Sequence, residues 1–373
     1  MRQAGESAAA VSAQALNRAT MSWDFTKACN LGCGHCSNGD DRAAAGRDID
    51  LPAAAHMLAE FARLGGSQLH LLGGEPLLRH DFLDICVIAG KFGLRTSVTT
   101  NGWLVPKADA LEWMVRNLAT ITISIDGGGA AVNDRIRGRG TFDRAVAAAR
   151  CYVAGRDSSA APAKLNISHV LCAENIDGLV PMLELADDIG VDSIAVSVLK
   201  EYGNALRPGA PGPPTAEAYF QAICAAAVAA DRLRVSVVLY EIPMRVQTAL
   251  RARYGDTVQF GGDAYCDTGE GQLRVASDGA VHPCFAGTKH HDTVRADPVL
   301  VDIRQRPLDD IVSGSYFRDF QQEAHGRLDN TRWDICADCE FLKDHSCYPG
   351  CPFAPDNLKP QLCARLARNG AMP

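Results

Sequence analysis

The region from Met21 to about Tyr240 alternates short β-rich runs with longer amphipathic stretches. Seven runs are predicted as strands, at residues 22–26, 68–72, 96–99, 120–125, 165–171, 193–198 and 235–240. Apolar residues at helical spacing fill stretches such as 51–64, 108–116, 142–153, 176–189 and 216–232. Repeated β–α units predict a parallel sheet covered by helices, an α/β fold that closes into a full or partial barrel. In such barrels the chemistry sits on loops at the carboxyl ends of the strands.

Length and composition fit this architecture. The chain has 373 residues, enough for the barrel and a smaller appended domain, and 47% of them are hydrophobic. The formal charge of −7 does not suit a phosphate-neutralising surface, so we expect no nucleic-acid partner and mildly favour a cationic substrate. The sequence has neither an apolar run of about 18 residues nor a signal sequence. We therefore expect a cytoplasmic protein with no membrane partner.

The 14 cysteines are distributed unevenly. Three lie near the start and seven after residue 260, where the β–α rhythm stops. The other four sit singly in predicted elements and are expected to be small buried hydrophobes: Cys86, Cys151, Cys172 and Cys224. This distribution predicts an N-terminal extension at 1–20, a barrel at 21–260 and a cysteine-rich domain at 261–373.

Two loops are predicted from glycine and proline. The Pro/Gly-rich segment 207–214 breaks any helix or strand and reads as an exposed connector, with a lid as the alternative. In the tail, residues 277–279 (Ser-Asp-Gly) separate two short β-rich runs, 272–276 and 280–283, which predicts a hairpin with Gly279 at positive φ.

The first chemical motif follows directly on the first predicted strand. Cys29, Cys33 and Cys36 have Cx3Cx2C spacing on a glycine-containing loop. Three thiolates can bind three irons of a [4Fe–4S] cluster and leave the fourth iron open to a cofactor. The alternative is a zinc site with His35 as the fourth ligand, but His35 lies between two of the cysteines.

The second motif, Gly73-Gly74-Glu75-Pro76, ends the next predicted strand. Two residues without Cβ atoms let a ligand approach the backbone closely, and Glu75 offers a carboxylate to an ammonium group. Alone the motif fits a plain turn. One β–α unit after the triple cysteine, it becomes a specific signal.

Together the two motifs resemble those of the radical S-adenosylmethionine (SAM) superfamily. The resemblance implies a partial (β/α)6-type TIM-like barrel, a [4Fe–4S] cluster on the three cysteines, and a SAM amino group held by Gly73, Gly74 and Glu75, with Pro76 completing the motif. Similar members carry an aromatic residue where this chain has His35. Further matches imply SAM contacts along the barrel, at Asn101, Ser124 and Asp126. In the segment 133–138, which resembles the family's HDxxRG stretch, Arg137 would hold the SAM carboxylate.

The tail resembles the SPASM extension of the same superfamily, whose members bind auxiliary iron–sulfur clusters. Carried over by position, Cys266, Cys284 and Cys351 would bind a first auxiliary cluster, of the [4Fe–4S] type like the second, with its fourth ligand open or supplied by a group such as Asp267. The remaining cysteines would bind the second: Cys336, Cys339, Cys347 and Cys363. The alternative from spacing is a zinc knuckle of Cys336, Cys339, Cys347 and Cys351.

The resemblance implies an oxidoreductase in which a 5′-deoxyadenosyl radical abstracts hydrogen from an unactivated carbon and the auxiliary clusters oxidise the substrate radical. Glu201 and Glu241, which follow predicted strands, are candidate general bases. Because only about 20 residues precede the first strand, we favour dehydrogenation of a small natural-product intermediate, a sugar or aminocyclitol alcohol.

Other outcomes are open. They are cross-linking or oxidation of a ribosomally made peptide or protein, radical epimerisation, and a non-enzymatic zinc module or electron carrier. An external donor of the flavodoxin or ferredoxin type is the expected electron source.

Overall fold

The computed structural model describes residues 16, 19–39, 48–160, 162–262, 271–289, 301–329, 333–344, 346–347, 351 and 358–369. Cys266 and Asp267, both named above as candidate ligands, lie outside the described residues. Among the residues that are described, no helix is long and apolar enough to cross a membrane.

Ten strands form one sheet with the order β10-β9-β1-β2-β3-β4-β5-β6-β7-β8. Every neighbouring pair is parallel except the hairpin of β9 and β10. The strands are β1 Thr20–Thr26, β2 Gln68–Gly73, β3 Arg95–Thr100, β4 Thr120–Ser124, β5 Lys164–Leu171, β6 Ser193–Val198, β7 Ser236–Tyr240, β8 Gln259–Gly261, β9 Gln272–Val275 and β10 Val281–His282. Because β8 and β10 lie at opposite ends of the order and do not pair, the barrel is partial, as predicted.

Helices connect the strands and continue into the tail. Those of the barrel are α1 Leu51–Arg63, α2 Phe82–Lys91, α3 Ala108–Asn117, α4 Ala130–Arg137, α5 Thr141–Asp157, α6 Leu179–Ile189, α7 Ala216–Ala230 and α8 Met244–Tyr254. The described part of the tail adds α9 Phe285–Lys289, α10 Leu308–Val312, α11 Ser315–Asp329, α12 Asp334–Ala337, α13 Glu340–Lys343 and α14 Leu358–Asn369.

The core lies between the sheet and these helices. Helix α1 buries Ala54, Met57, Leu58 and Phe61, an i, i+3, i+4, i+7 stripe, and its start is fixed by Asp50, whose side chain accepts from the Ala53 amide. Fully burying each large apolar side chain contributes about 1.5–3 kcal/mol. The apolar faces therefore hold the strands in register, with their carboxyl ends at one rim.

All seven predicted strands are confirmed, and so is the hairpin, where Gly279 has a φ of 92°. Segment 207–214 contains neither helix nor strand, and Pro211 packs toward the cysteine loop beside Gly34. The predicted boundary at residue 260 falls within β8, and β9, the next described strand, belongs to the same sheet. Strand β9 pairs with β1, whose outer edge would otherwise be unpaired.

Candidate functional site

A cavity of about 1010 Å³ opens at the carboxyl ends of the strands. Predicted site residues from separate loops line it: Cys29, Cys33, His35, Cys36, Gly73, Gly74, Asn101, Ser124, Arg137 and Glu241. The tail hairpin forms part of the wall with Arg274, Asp278 and His282. The structure therefore brings the cysteine loop, the glycine motif and the C-terminal region together around one volume.

The main chain of the cysteine loop is held by hydrogen bonds from and to other loops. The amide of Gly34 donates to the Ile136 carbonyl at 2.8 Å. From the loop after β6, the Asn204 side chain donates to the Cys33 carbonyl at 2.8 Å and the Asn204 amide donates to the Cys36 carbonyl at 2.9 Å. Cys33 is buried, and burial raises the pKa of its thiol to about 11. The loop thus presents its sulfurs from a fixed backbone.

The two glycines of the second motif are required by the adjacent backbone. A Cβ on Gly74 would lie 2.1 Å from the Ala28 carbonyl oxygen, and one on Gly73, which has a φ of 109°, would lie 2.5 Å from the Thr26 oxygen. Short hydrogen bonds explain this closeness, because the Gly74 amide donates to Thr26 at 2.6 Å and the Glu75 amide to Ala28 at 2.8 Å. The motif therefore packs closely against the main chain that precedes Cys29 and is hydrogen-bonded to it.

Glu75 is fully buried and is not among the residues that line the cavity. Its carboxylate accepts from the Thr100 hydroxyl at 2.8 Å and from the Asn101 amide at 2.7 Å. Burial raises its pKa, although these hydrogen bonds act in the opposite direction. These hydrogen bonds make Glu75 a positioning residue for Asn101, and its contact with the SAM ammonium stays a prediction. Pro76 is also buried and begins a 3₁₀ turn.

Asn101, which Glu75 positions, faces the cavity. Its side-chain nitrogen donates to the Asn30 side-chain oxygen at 2.9 Å and lies 3.9 Å from the Cys29 sulfur. Its side-chain oxygen accepts from the Trp103 amide at 2.8 Å. Asn101 therefore links the third strand to the cysteine loop.

Asp126 forms the charged centre beneath the cysteine loop. It has no exposed surface, and its Oδ2 accepts from Arg137 Nε at 2.5 Å and from His35 Nε2 at 2.9 Å. Oδ1 accepts from the Val170 amide at 2.7 Å. Burial raises the pKa of Asp126, but Arg137 and then His35 outweigh it and hold the value well below its usual range.

Asp126 lies behind the cavity wall, and its contact with SAM stays a prediction. Arg137 and His35 form the wall in front of it. Their side chains are 9% and 7% exposed, and His35 Nδ1 is buried without a hydrogen-bond partner. A buried polar atom of this kind at a cavity wall is suited to a ligand contact. Since Arg137 uses Nε for Asp126, its role toward a carboxylate would fall to the terminal nitrogens.

Two further charged pairs line the cavity. Arg274 Nε donates to Asp24 Oδ2 at 3.0 Å, joining the tail hairpin to β1. Lys200, after β6, forms an ion pair with Glu241, after β7. Glu241 has a φ of 62°, a left-handed conformation that is costly for a residue with a Cβ atom. Glu201, the other candidate base, is exposed and does not line the cavity.

A second, much smaller cavity lies in the tail. Cys336, Cys339, Cys347 and Cys363 all line it, together with Pro243, Arg245 and Lys359. The two predicted sets differ only in their fourth cysteine. The cavity contains Cys363, the fourth ligand of the predicted second cluster, and not Cys351, the fourth ligand of the zinc knuckle. Burial raises the pKa of Cys336 to about 11 and that of Cys363 to about 12, and Arg245 opposes both shifts.

Other cysteines lie elsewhere. Cys284 and Cys351 are half-buried and pack against the main core. Cys86, Cys172 and Cys224 are buried as predicted, whereas Cys151 is exposed, because it falls on the solvent face of α5. Within the described ranges, no three His, Cys, Asp or Glu side chains are grouped to hold a single metal ion.

The donor sets nevertheless fit the clusters that the sequence implies. Cys29, Cys33 and Cys36 face one cavity, and four further cysteines converge on another, as thiolate ligation of iron–sulfur clusters requires. An unpartnered His35 nitrogen and a wall of glycines leave room for a polar cofactor beside the first set.

Several residues of the site were not anticipated from the sequence. Asn204, Lys200, Arg274 and Asp24 hold or line the cavity, yet none belongs to a recognisable motif. Arg274 and Asp24 had an indirect signal, since each lies in a run predicted as a strand.

Comparison with known families agrees with this geometry. The model of the radical SAM superfamily matches residues 23–186, and the model of the SPASM iron–sulfur cluster-binding domain matches residues 266–340. The chain belongs to the radical SAM superfamily and carries a SPASM domain. Membership in the radical SAM superfamily implies that it binds SAM and iron–sulfur clusters.

Two curated relatives illustrate the range of this radical SAM family. The PqqA peptide cyclase of Ruegeria pomeroyi is 32% identical over 266 residues, covering 70% of this chain and 66% of that protein. The AdoMet-dependent heme synthase of Methanosarcina barkeri is 28% identical over 184 residues, covering 49% and 51%. The chain thus spans about half to two thirds of the length of these relatives.

Among solved structures, Streptococcus suis SuiB bound to precursor peptide SuiA superposes with a TM-score of 0.68. The identity is 15%, and the match covers 90% of this chain and 72% of SuiB. At that identity the likeness is one of fold. It covers nearly the whole chain.

Proposed function

We propose that this radical SAM SPASM enzyme oxidatively modifies a ribosomally made peptide or protein at an unactivated carbon, forming a cross-link or an oxidised residue. One observation carries the proposal. The cysteine loop and the SPASM hairpin line the same cavity, so a substrate there would meet the site of radical formation and the oxidising region together.

Each group would be held by residues at the cavity wall. Cys29, Cys33 and Cys36 would bind the [4Fe–4S] cluster. SAM would contact Gly73, Gly74, Asn101, Ser124 and Arg137, with His35 Nδ1 as an added polar contact. When bound, the cluster and SAM supply a 5′-deoxyadenosyl radical that removes a hydrogen atom from the substrate.

The chain's own residues would orient the substrate and take up a proton. Lys200 and Glu241 lie on the wall and form an ion pair with each other. Oxidation of a carbon centre releases a proton, which Glu241 would accept. The strained backbone at Glu241 supports this role, because such strain persists mainly where function requires it.

Residues close in sequence to Cys284 and to Glu241 line the main cavity and the cavity of the four SPASM cysteines. Phe285 and Thr288, which follow Cys284 in the chain, line the main cavity. Pro243 and Arg245, which follow Glu241, line the cavity of the other four SPASM cysteines. This proximity supports the passage of an electron from substrate to the SPASM region. An external flavodoxin or ferredoxin would supply the electron that starts the reaction.

A peptide substrate replaces the small molecule that we favoured from sequence. That preference depended on the few residues before β1, which do not discriminate between substrates. The more similar relative is a peptide cyclase, matched over 70% of this chain. The heme synthase is matched over 49% of this chain, so a small-molecule substrate is the alternative that the experiment must distinguish from a peptide.

Mass spectrometry of anaerobic reactions tests the proposal. Reconstituted enzyme, SAM and reductant would be incubated with short peptides encoded beside this gene, and separately with sugar and aminocyclitol alcohols. We expect a peptide to lose two mass units in the wild type but not in Cys29→Ala, with Cys151→Ala as the exposed-cysteine control. Loss of two units from an alcohol with every peptide unchanged would overturn the proposal. Deuterium uptake from solvent without mass loss from oxidation would indicate epimerisation instead.

A further inference from the structure

The turn after β7 lies between the two cavities. Glu241 lines the main cavity, whereas Pro243 and Arg245, only two and four residues later, line the cavity of the four SPASM cysteines. The backbone at Glu241, between the end of β7 and the start of α8, is left-handed. A short, strained turn therefore presents one side chain to the substrate and another to the auxiliary centre.

The position of Arg245 is unfavourable for the helix that carries it. Helix α8 begins at Met244, so Arg245 lies in its first turn and no acidic residue accompanies it there. A cation near a helix N-terminus is opposed by the helix dipole. Its placement is better explained by what it faces, which is a cavity walled by four cysteines.

Arg245 brings a positive charge to the same cavity as Cys336 and Cys363, which come from different helices. A guanidinium stays protonated at any accessible pH, so this positive charge is permanent. Lys359, which is 7% exposed and one helical turn before Cys363, adds a second cation to the same wall.

We propose that Arg245 raises the reduction potential of the iron–sulfur cluster held by Cys336, Cys339, Cys347 and Cys363. Reduction adds one negative charge to the cluster, and a nearby cation stabilises the reduced form more than the oxidised form. A higher potential makes this cluster a better acceptor for an electron leaving the main cavity. The inference rests on the iron–sulfur part of the proposed function and is independent of the substrate.

Redox titration of the reconstituted holoenzyme, followed by electron paramagnetic resonance, tests this role. In Arg245→Met we expect one cluster to become about tenfold harder to reduce at a fixed solution potential, which is about 59 mV for a one-electron couple. Arg253→Met is the matched control. It removes the same charge from an exposed position on α8, about 12 Å further along the helix. Unchanged potentials in Arg245→Met, or an equal shift in both variants, would overturn the proposal.

Two further variants separate charge from structure. Arg245→Lys keeps the charge and should titrate like the wild type, whereas Arg245→Gln should shift like Arg245→Met. If Arg245→Met does not load iron, the Arg245→Lys holoenzyme decides the question. A wild-type reduction potential supports the proposal, and a cluster that is tenfold harder to reduce overturns it. A shifted potential in an enzyme that modifies no peptide would confirm this inference while refuting the substrate assignment.

Discussion

Replacing Asp126 by asparagine would break the buried charge centre beneath the cysteine loop. Asparagine keeps an oxygen for the Val170 amide, but its neutral amide leaves the guanidinium of Arg137, whose side chain is 9% exposed, without its counter-charge. Removing one partner of a buried ion pair costs about 3–5 kcal/mol. We expect the low end, about 3 kcal/mol, because one acceptor is retained and Arg137 borders the cavity.

Urea unfolding followed by circular dichroism measures this cost, and equal slopes against urea concentration make the comparison valid. Asp188→Asn is the matched control, because it breaks an ion pair with Arg150 whose side chains are 68% and 52% exposed. Exposed pairs contribute about 0–1 kcal/mol. Equal losses in the two variants would refute the reasoning that burial makes the Asp126 pair important.

The pH dependence of the same variant follows from the direction of the pKa shift. Since Arg137 and His35 hold the pKa of Asp126 below its usual range, its contribution is complete above the unfolded value of about 3.9 and declines as pH falls below it. The cost of Asp126→Asn should therefore be constant from about pH 8 to pH 5 and shrink only in stronger acid.

Three further predictions concern single positions. Burial, with a smaller effect of Arg274, lowers the pKa of His70 to about 4. Between pH 6.5 and pH 4 the unfolded chain therefore binds a proton that the folded chain does not, so wild-type stability should fall over this range, and should fall less in His70→Asn. His56→Asn, at an exposed histidine, should behave as wild type in the same urea series. Gly74→Ala should lower the iron content and the stability of the reconstituted enzyme, because its Cβ would lie 2.1 Å from a main-chain oxygen; Gly90→Ala, in open space on α2, should instead stabilise by about 0.5–1 kcal/mol. Glu241→Gly should relieve about 1–2 kcal/mol of left-handed strain and raise the urea midpoint while abolishing peptide oxidation, and a lowered midpoint would contradict the strain assignment.

The fold was largely predictable because its signals are local. Each strand is a short β-rich run bounded by turn residues, so its position follows from the residues it contains. The pairing of β9 with β1 was not predictable in this way. It brings together Arg274 and Asp24, which are 250 residues apart, and the hydrophobic periodicity of the sequence does not indicate such a long-range contact.

The same distinction between local motifs and long-range contacts applies to the site. The cysteines and glycines could be located because their chemistry requires a fixed spacing. The orientation of Glu75 toward Thr100, and of Asp126 toward Arg137, depends on how separate strands meet, and a motif does not record which way a carboxylate points. The sequence therefore did not indicate the protein groups that these two carboxylates bind, and their contacts with SAM stay predictions.

Deuterium transfer tests most directly whether the cavity unites radical formation with peptide oxidation. A substrate peptide deuterated at the carbon that reacts would be incubated with the reconstituted enzyme, SAM and reductant, and the 5′-deoxyadenosine would be isolated. We predict that 5′-deoxyadenosine acquires deuterium in step with mass loss from the peptide, and that Cys29→Ala forms neither product. Unlabelled 5′-deoxyadenosine, formed at the same rate while the peptide keeps all its deuterium, would contradict a peptide substrate at this site.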